Sequence, residues 1–401
     1  MLKERTVAVV GAWEHPTRLA PDKSDFQLMQ ECAANALEDA GLSVNDIDGM
    51  CTVGYPQLGH DLSDPGPNRL ADYLNIDPKW VDTTYVGGSS LQYQVFRAAM
   101  AIELGLASCI LLTYAARPRS KHIPVGTAGM KARGVNVLRQ TQESFEDIYG
   151  VTVINMFALN ASRHMALYGS TQEHLAQIAV QVRKHAQLNP NARYRAPLSV
   201  EEVLQSRMIS SPLRLLMCCA ITDGGGALVI SDRNVARQTR KKPVWLIGAG
   251  ERLAKGDGGY GDWLDVGTRT AAKEAFAMAG VTRNDVDTVQ VYDATAFHIL
   301  QAVEELGFCG LGEGKDFIDG GRRIALGGEL PINTDGGGLS SNQVITRGIF
   351  VVLEAVRQVR GECGERQVPD CRISIASATG GGGPGGQSYR RSASVLIFGR
   401  D

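Results

Sequence analysis

The chain has 401 residues, 44% of them hydrophobic and 21% charged, enough apolar character to bury a large core. A formal net charge of −2 argues against a broad electrostatic footprint for nucleic acid. No run of about 18 uninterrupted apolar residues predicts a membrane span, and Met1 to Arg5 leads straight into an apolar segment without a signal-peptide layout, so a cytoplasmic protein is expected.

Val7–Gly11 reads as a buried strand ending in a glycine turn. A helix follows, ending at Ala40, with Gly41 where a helix C-cap needs positive φ. Asn45 and Asp46 then turn the chain into a strand, Gly49–Val53. The loop Gly87, Gly88, Ser89, Ser90 precedes a mostly apolar helix from Leu91 to Leu104, and Ala107–Tyr114 reads as the next strand. Residues from about 115 to 215 form an insertion of helical character, as over Thr171–Gln187. Asp223–Ile230 supplies a closing strand, and the polar run Arg233–Lys242 marks a boundary. Two halves result, 1–236 and 237–401.

The second half repeats the first. Val244–Gly248 is again a strand with a glycine turn, and a helix again ends in Ala279 and Gly280. Asn284 and Asp285 lead into the strand Thr288–Tyr292. Gly280 lies 239 residues beyond Gly41, and Asp285 lies 239 beyond Asp46. Gly336–Ser340 precedes a helix through Ile349–Arg357, and Arg372–Ser377 is its strand. This duplication predicts βαβ halves with layered sheets.

None of the eight cysteines (32, 51, 109, 218, 219, 309, 363 and 371) forms a Cys-x-x-Cys pair, so they read as buried free thiols. Gly248-Ala249-Gly250 has Leu253 in place of a third glycine, so the dinucleotide fingerprint is absent. There is no phosphate-binding Gly-Lys-Ser/Thr loop and no Gly-x-Ser-x-Gly elbow.

The duplicated unit resembles the thiolase superfamily over essentially the whole chain. The segments that carry the resemblance are Tyr292-Asp293-Ala294, Leu306–Cys309, Leu330–Gly337, Val356–Gly361 and Asp223-Gly224-Gly225. They are most similar to the sterol-carrier-protein-like, or lipid-transfer-protein, branch. The resemblance implies an α/β thiolase fold, with duplicated halves forming a layered αβαβα core and a helical loop insertion. The departures are chemical. The nucleophilic cysteine of a thiolase falls at Gly88 or Ser89, and no cysteine occurs between Cys51 and Cys109. Gln343 stands where the histidine of Gly-His-Pro would be. Ala378 or Thr379 replaces the second cysteine, before Gly380, Gly381 and Gly382. Tyr292-Asp293-Ala294-Thr295 replaces Asn-Glu-Ala-Phe. Thiolysis needs a thiolate to carry the acyl group, so an ordinary thiolase is not expected.

Cys-less members of this branch include steroid side-chain aldolases, in which tyrosine takes part in proton transfer. The resemblance therefore implies non-covalent retro-aldol cleavage of a β-hydroxyacyl-CoA, with a coenzyme A thioester as substrate and no bound cofactor or metal. Tyr292 is then the acid–base candidate, with Asn342, Gln343 and Ser89 as further catalytic candidates. Gly88, Ser90, Gly380, Gly381 and Gly382 are candidates for an oxyanion site, since glycine loops and helix N-termini present backbone N–H groups. Asp293 and His298 are candidate pocket residues. Blander readings stand beside these. Ser89 and Ser90 cap the helix at Leu91, Asp293 caps the next helix or orients Tyr292, and His298 is structural. The glycine run is a flexible turn. The basic residues Arg117, Arg119, Lys121, His122, Lys131 and Arg133 are a solvated face or a phosphate contact for coenzyme A. A homodimer and a small zinc-ribbon/OB-fold partner are expected. The alternatives are a catalytically silent acyl-CoA- or lipid-binding subunit, or an acetyl-CoA acetyltransferase-like acyltransferase using a residue such as Ser89.

Overall fold

A computed structural model describes residues 5–53, 66–122, 153–254, 264–380 and 391–401. Nine strands form one mixed sheet: β1 Val7–Glu14, β2 Gly49–Cys51, β3 Trp80–Asp82, β4 Cys109–Ala116, β5 Gly224–Asp232, β6 Val244–Leu253, β7 Thr288–Val291, β8 Ile373–Gly380 and β9 Ser392–Gly399. The main helices are α1 Asp25–Ala40, α2 Pro67–Leu74, α3 Ser90–Glu103, α4 Val153–Tyr168, α5 Gln172–Gln187, α6 Thr268–Ala279, α7 Ala296–Glu305 and α8 Gly348–Arg360.

The sheet runs β3-β2-β4-β5-β1-β6-β9-β8-β7. Its centre is the antiparallel pairing of β1 with β6, Ala8 opposite Trp245 and Val9 opposite Val244. Read outward from that join, β1-β5-β4-β2 and β6-β9-β8-β7 are equivalent series, with β3 added to the first. The repeat in the sequence is therefore a repeat in space, and the two halves share one sheet.

Both faces of this sheet are buried, so its strands are nearly continuous apolar runs. Along β1, Val7 and Val9 enter one core while Ala8 and Val10 enter another. Helix α1 covers the outer face of β1, β4 and β5, and α6 covers β6 and β9. Helices α3 and α8 pack against strands of both halves and against each other. They are the middle layer of the expected αβαβα stack. The insertion is helical where described, in α4 and α5, and adds a two-stranded ribbon of Met208–Ser210 with Leu213–Arg214. Lys131 and Arg133 lie outside the described residues. Among the described residues, no helix is long and apolar enough to cross a membrane.

Local chemistry sets the helix ends. Ser24 and Gln27 close a capping box at the start of α1. Gly41 and Gly280 end α1 and α6 in the left-handed region, with φ of 74° and 69°. Gly11 and Gly248 perform a second shared task. A Cβ at Gly11 would overlap the carbonyl of Ala36, and one at Gly248 that of Ala275. Each glycine lets a helix lie directly on a strand. Gly248→Ala should therefore cost about 1–3 kcal/mol of stability through overpacking, read as a lower urea midpoint at unchanged slope. A midpoint equal to that of the unsubstituted chain would contradict this packing.

Candidate active site

Tyr292 directly follows β7, and its N–H extends the ladder by donating to Ser377 O at 2.9 Å. The ring is buried. Its hydroxyl accepts from Gln343 Nε2 at 2.8 Å and donates to Ile345 O at 3.3 Å. Burial pushes the phenol up to about 12, against the pull of the Gln343 hydrogen bond. At neutral pH it is a proton donor. Gln343 is pinned through its backbone. Its N–H donates to Thr222 Oγ1 at 3.0 Å, and its carbonyl accepts from Thr222 N at 2.9 Å. The other amide atom, Gln343 Oε1, is buried without a hydrogen-bond partner among the described residues.

Gly88 faces this phenol. It sits in the 3₁₀ turn Gly87–Ser89 that opens α3. A Cβ there would lie 2.5 Å from Thr379 O, 3.2 Å from Tyr292 Cε2 and 3.4 Å from Tyr292 Cζ. The space a nucleophile's side chain would need is thus taken by the Tyr292 ring and the end of β8. Gly380 closes the same corner. A Cβ on it would overlap Gly88 N and lie 2.8 Å from Ser89 N. Any side chain at 380 would block the approach to both amides. Gly381 and Gly382 lie outside the described residues.

Three candidates have other duties. Ser89 is wholly buried, and its hydroxyl is 2.7 Å from that of Ser392, which donates to Val86 O. Among the described residues, none of its side-chain hydrogen bonds is to a general base. Ser90 donates to Gly87 O at 2.6 Å and accepts from Val86 N at 2.9 Å, so it ties the turn backward. Neither serine makes the expected forward cap, because the 3₁₀ turn occupies that place. Asn342 donates to Glu14 Oε1 and Ser341 Oγ, both at 3.3 Å. It belongs to the buried cluster in which Glu14 also holds Arg18 and Arg357. Its amide serves β1, not Tyr292.

Asp293 does not cap the next helix either. Thr295 occupies that position, and His298 Nδ1 accepts from Thr295 N at 3.2 Å in a capping box. Asp293 is fully buried and accepts instead from Gly338 N at 2.7 Å and Leu339 N at 3.3 Å. Arg347 Nε lies 3.3 Å from the same carboxylate, and Arg347 Nη2 bonds both oxygens of Asp335 at 2.8 and 2.7 Å. Burial pushes Asp293 up to about 6, against the pull of Arg347. His298 packs edge-on to Phe157 and lines a small cavity with Thr268, Tyr292, Gln301, Glu305 and Thr379. In the basic cluster, Arg117 and Lys121 are committed to Asp25, at 2.9 and 2.6 Å.

Two residues at the site left no readable signal in the sequence. Arg347 is one, a wholly buried guanidinium between two carboxylates. Cys219 is the other. Its segment threads the site, with Cys219 N donating to Ala294 O at 3.0 Å and Ala220 N to Gly338 O at 2.8 Å. The thiol is within electrostatic reach of Tyr292, Asp293 and Arg347. Burial pushes it up, so it is held as the neutral thiol.

Comparison with known proteins shows the family. Residues 259–398 match the family model described as thiolase C-terminal domain-like. The chain is 33% identical to a 17-hydroxy-3-oxo-4-pregnene-20-carboxyl-CoA lyase of Mycobacterium tuberculosis, over 88% of this chain and 91% of that one. It is 31% identical to an acetyl-CoA acetyltransferase of Methanothermobacter thermautotrophicus, over 99% of this chain and 100% of that one. The solved structure of the Ltp2–ChsH2(DUF35) aldolase matches with a TM-score of 0.82 at 29% identity, over 99% of this chain and 98% of that one. The chain belongs to the thiolase superfamily, in its sterol-carrier-protein-2 and lipid-transfer thiolase-like branch.

Proposed function

We propose that this chain is a carbon–carbon lyase that cleaves a β-hydroxyacyl-CoA by a retro-aldol reaction, without an acyl-enzyme. The observation that carries the reading is the Tyr292–Gln343 pair packed against Gly88, in the room where a thiolase would hold its nucleophile. In this reaction the β-hydroxyl loses its proton and the α–β carbon bond breaks. A ketone or aldehyde leaves, and the resulting thioester enolate takes a proton at its α-carbon. Burial keeps the phenol neutral, so it acts as a relay that passes a proton on without ionising. Its oxygen takes the β-hydroxyl proton as its own proton passes to the α-carbon, so no free phenolate accumulates in a buried site. Gln343 Nε2 steadies the charge that develops on that oxygen. The amides of Gly88 and Ser89, at the N-terminus of α3 and left without a side chain over them by Gly380, are the groups assigned to the enolate oxygen.

A lyase and an aldolase among the relatives support this reading, as does the absence of a side chain at 88. The aldolase relative also supports a DUF35 partner; that this partner is a small zinc-ribbon/OB-fold protein, and that the chain forms a homodimer, are part of the same proposal. A second reading, thiolase-type acyl transfer, is favoured by the acetyltransferase relative. It needs a nucleophile, for which Cys219 is the thiol at hand.

Assays of β-hydroxyacyl-CoA cleavage and β-ketoacyl-CoA thiolysis, with and without a co-expressed partner, separate the readings. Cleavage without thiolysis supports the lyase, and thiolysis abolished by a thiol alkylator would overturn it. Tyr292→Phe should lower kcat for cleavage by at least about 100-fold with little change in KM; a full rate would remove Tyr292 from its role. Gly88→Cys should melt at a lower temperature and show no thiolysis, because the new side chain meets Thr379 O and the Tyr292 ring. Thiolysis by that variant would show that the phenol does not exclude a nucleophile.

A further inference from the structure

The span from Gly338 to Arg347 carries Gln343 to the phenol, and Asp293 grips it at both ends. At the first end the carboxylate accepts from Gly338 N and Leu339 N. At the second it pairs with Arg347 Nε. The glycines where the span begins fit closely against Asp293. A Cβ at Gly337, where φ is 63°, would overlap Asp293 Oδ2. A Cβ at Gly338 would lie 2.7 Å from the Asp293 carbonyl. Asp335 completes the clasp by fixing Arg347 from the other side and accepting from Gly337 N at 2.8 Å.

We propose that Asp293 is a positioning residue: its carboxylate closes both ends of the Gly338–Arg347 span and thereby holds the Gln343 amide on the Tyr292 hydroxyl. The effect on turnover rests on the reading of Tyr292 as the acid–base group; the effect on the phenol's hydrogen bond does not. The charged groups facing Asp293 are Arg347, at the end of the span, and Asp335, just before it; the Cys219 thiol on the threading segment faces it as a neutral group. Beyond these, Glu14 and Glu354 raise the Asp335 carboxyl, and Glu14 acts on Arg347. Burial holds the Asp293 carboxyl near 6. The clasp is therefore charged and closed above that pH, and it loosens as pH falls through it. Stability runs the other way. A raised carboxyl costs the fold as pH climbs from the ordinary 3.8 to about 6, and the cost is constant above that.

The test uses the full chain labelled with ¹³Cζ-tyrosine, the Tyr292 resonance being identified by its loss in Tyr292→Phe. In the unsubstituted chain that resonance should shift with a midpoint near pH 6. In Asp293→Asn it should hold the low-pH position throughout, while kcat falls about 100-fold and KM is unchanged. Gln343→Ala, which leaves the clasp intact, should abolish the same midpoint. A Tyr292 midpoint that survives Gln343→Ala would overturn the proposal. So would an Asp293→Asn chain whose Tyr292 resonance still titrates near pH 6. If no cleavage activity exists at all, the resonance still reports on the clasp, so its failure is distinct from failure of the lyase reading.

Discussion

Everything at this site depends on how closely Gly88 approaches Tyr292. The first turn of α3 lies so near the ring and the end of β8 that a Cβ at 88 meets both. A nucleophilic side chain at 88 and a phenol at 292 compete for one volume. The chain holds the phenol, and glycines at 88 and 380 follow from it. So does the turn of Ser89 toward Ser392, which leaves the helix N-terminus with backbone amides as its polar groups near the phenol.

A buried phenol has to be aimed, and the protein aims it with charge. Arg347 is wholly buried between Asp293 and Asp335, with Nη2 hydrogen-bonded to Asp335 and Nε held to Asp293 by charge, a costly arrangement if either carboxylate is lost. Removing one partner of such a pair typically costs about 3–5 kcal/mol, because it leaves the other charge buried and uncompensated. The clasp bears on Gln343 through the chain between its two ends, and Thr222 on the threading segment holds the Gln343 backbone with one bond from its N–H and one to its hydroxyl. Stability is spent to fix one amide on one hydroxyl.

The fold was legible because its signals are local and occur twice. Gly41 and Gly280, and the Asn-Asp turns behind them, announce a duplication before any contact is known. The join of β1 to β6 was not legible, because pairing between halves leaves no periodic trace in either strand. At the site, Tyr292 and Gln343 could be named from the motif they replace, but their hydrogen bond could not. Of the two readings of Asp293, the helix cap fails for a physical reason. A carboxylate just before a helix reads as its cap, yet its amide partner lies 45 residues away in a glycine turn. Thr295 took the cap with a histidine at the third position, a partner outside the usual glutamate or glutamine. Asn342 sits beside Gln343 in sequence, but the extended backbone there sends its side chain to Glu14. Cys219 and Arg347 belong to no motif, and only the folded chain brings them to the phenol.

The claim that chemistry here proceeds without a covalent intermediate is open to direct inspection. Intact-protein mass spectrometry after rapid mixing with an acyl-CoA substrate, quenched within one turnover, reads any acyl group carried by the chain. The account predicts an unchanged protein mass while cleavage products appear. An acyl adduct that forms and decays at the turnover rate, on Cys219 or any other residue, would contradict it.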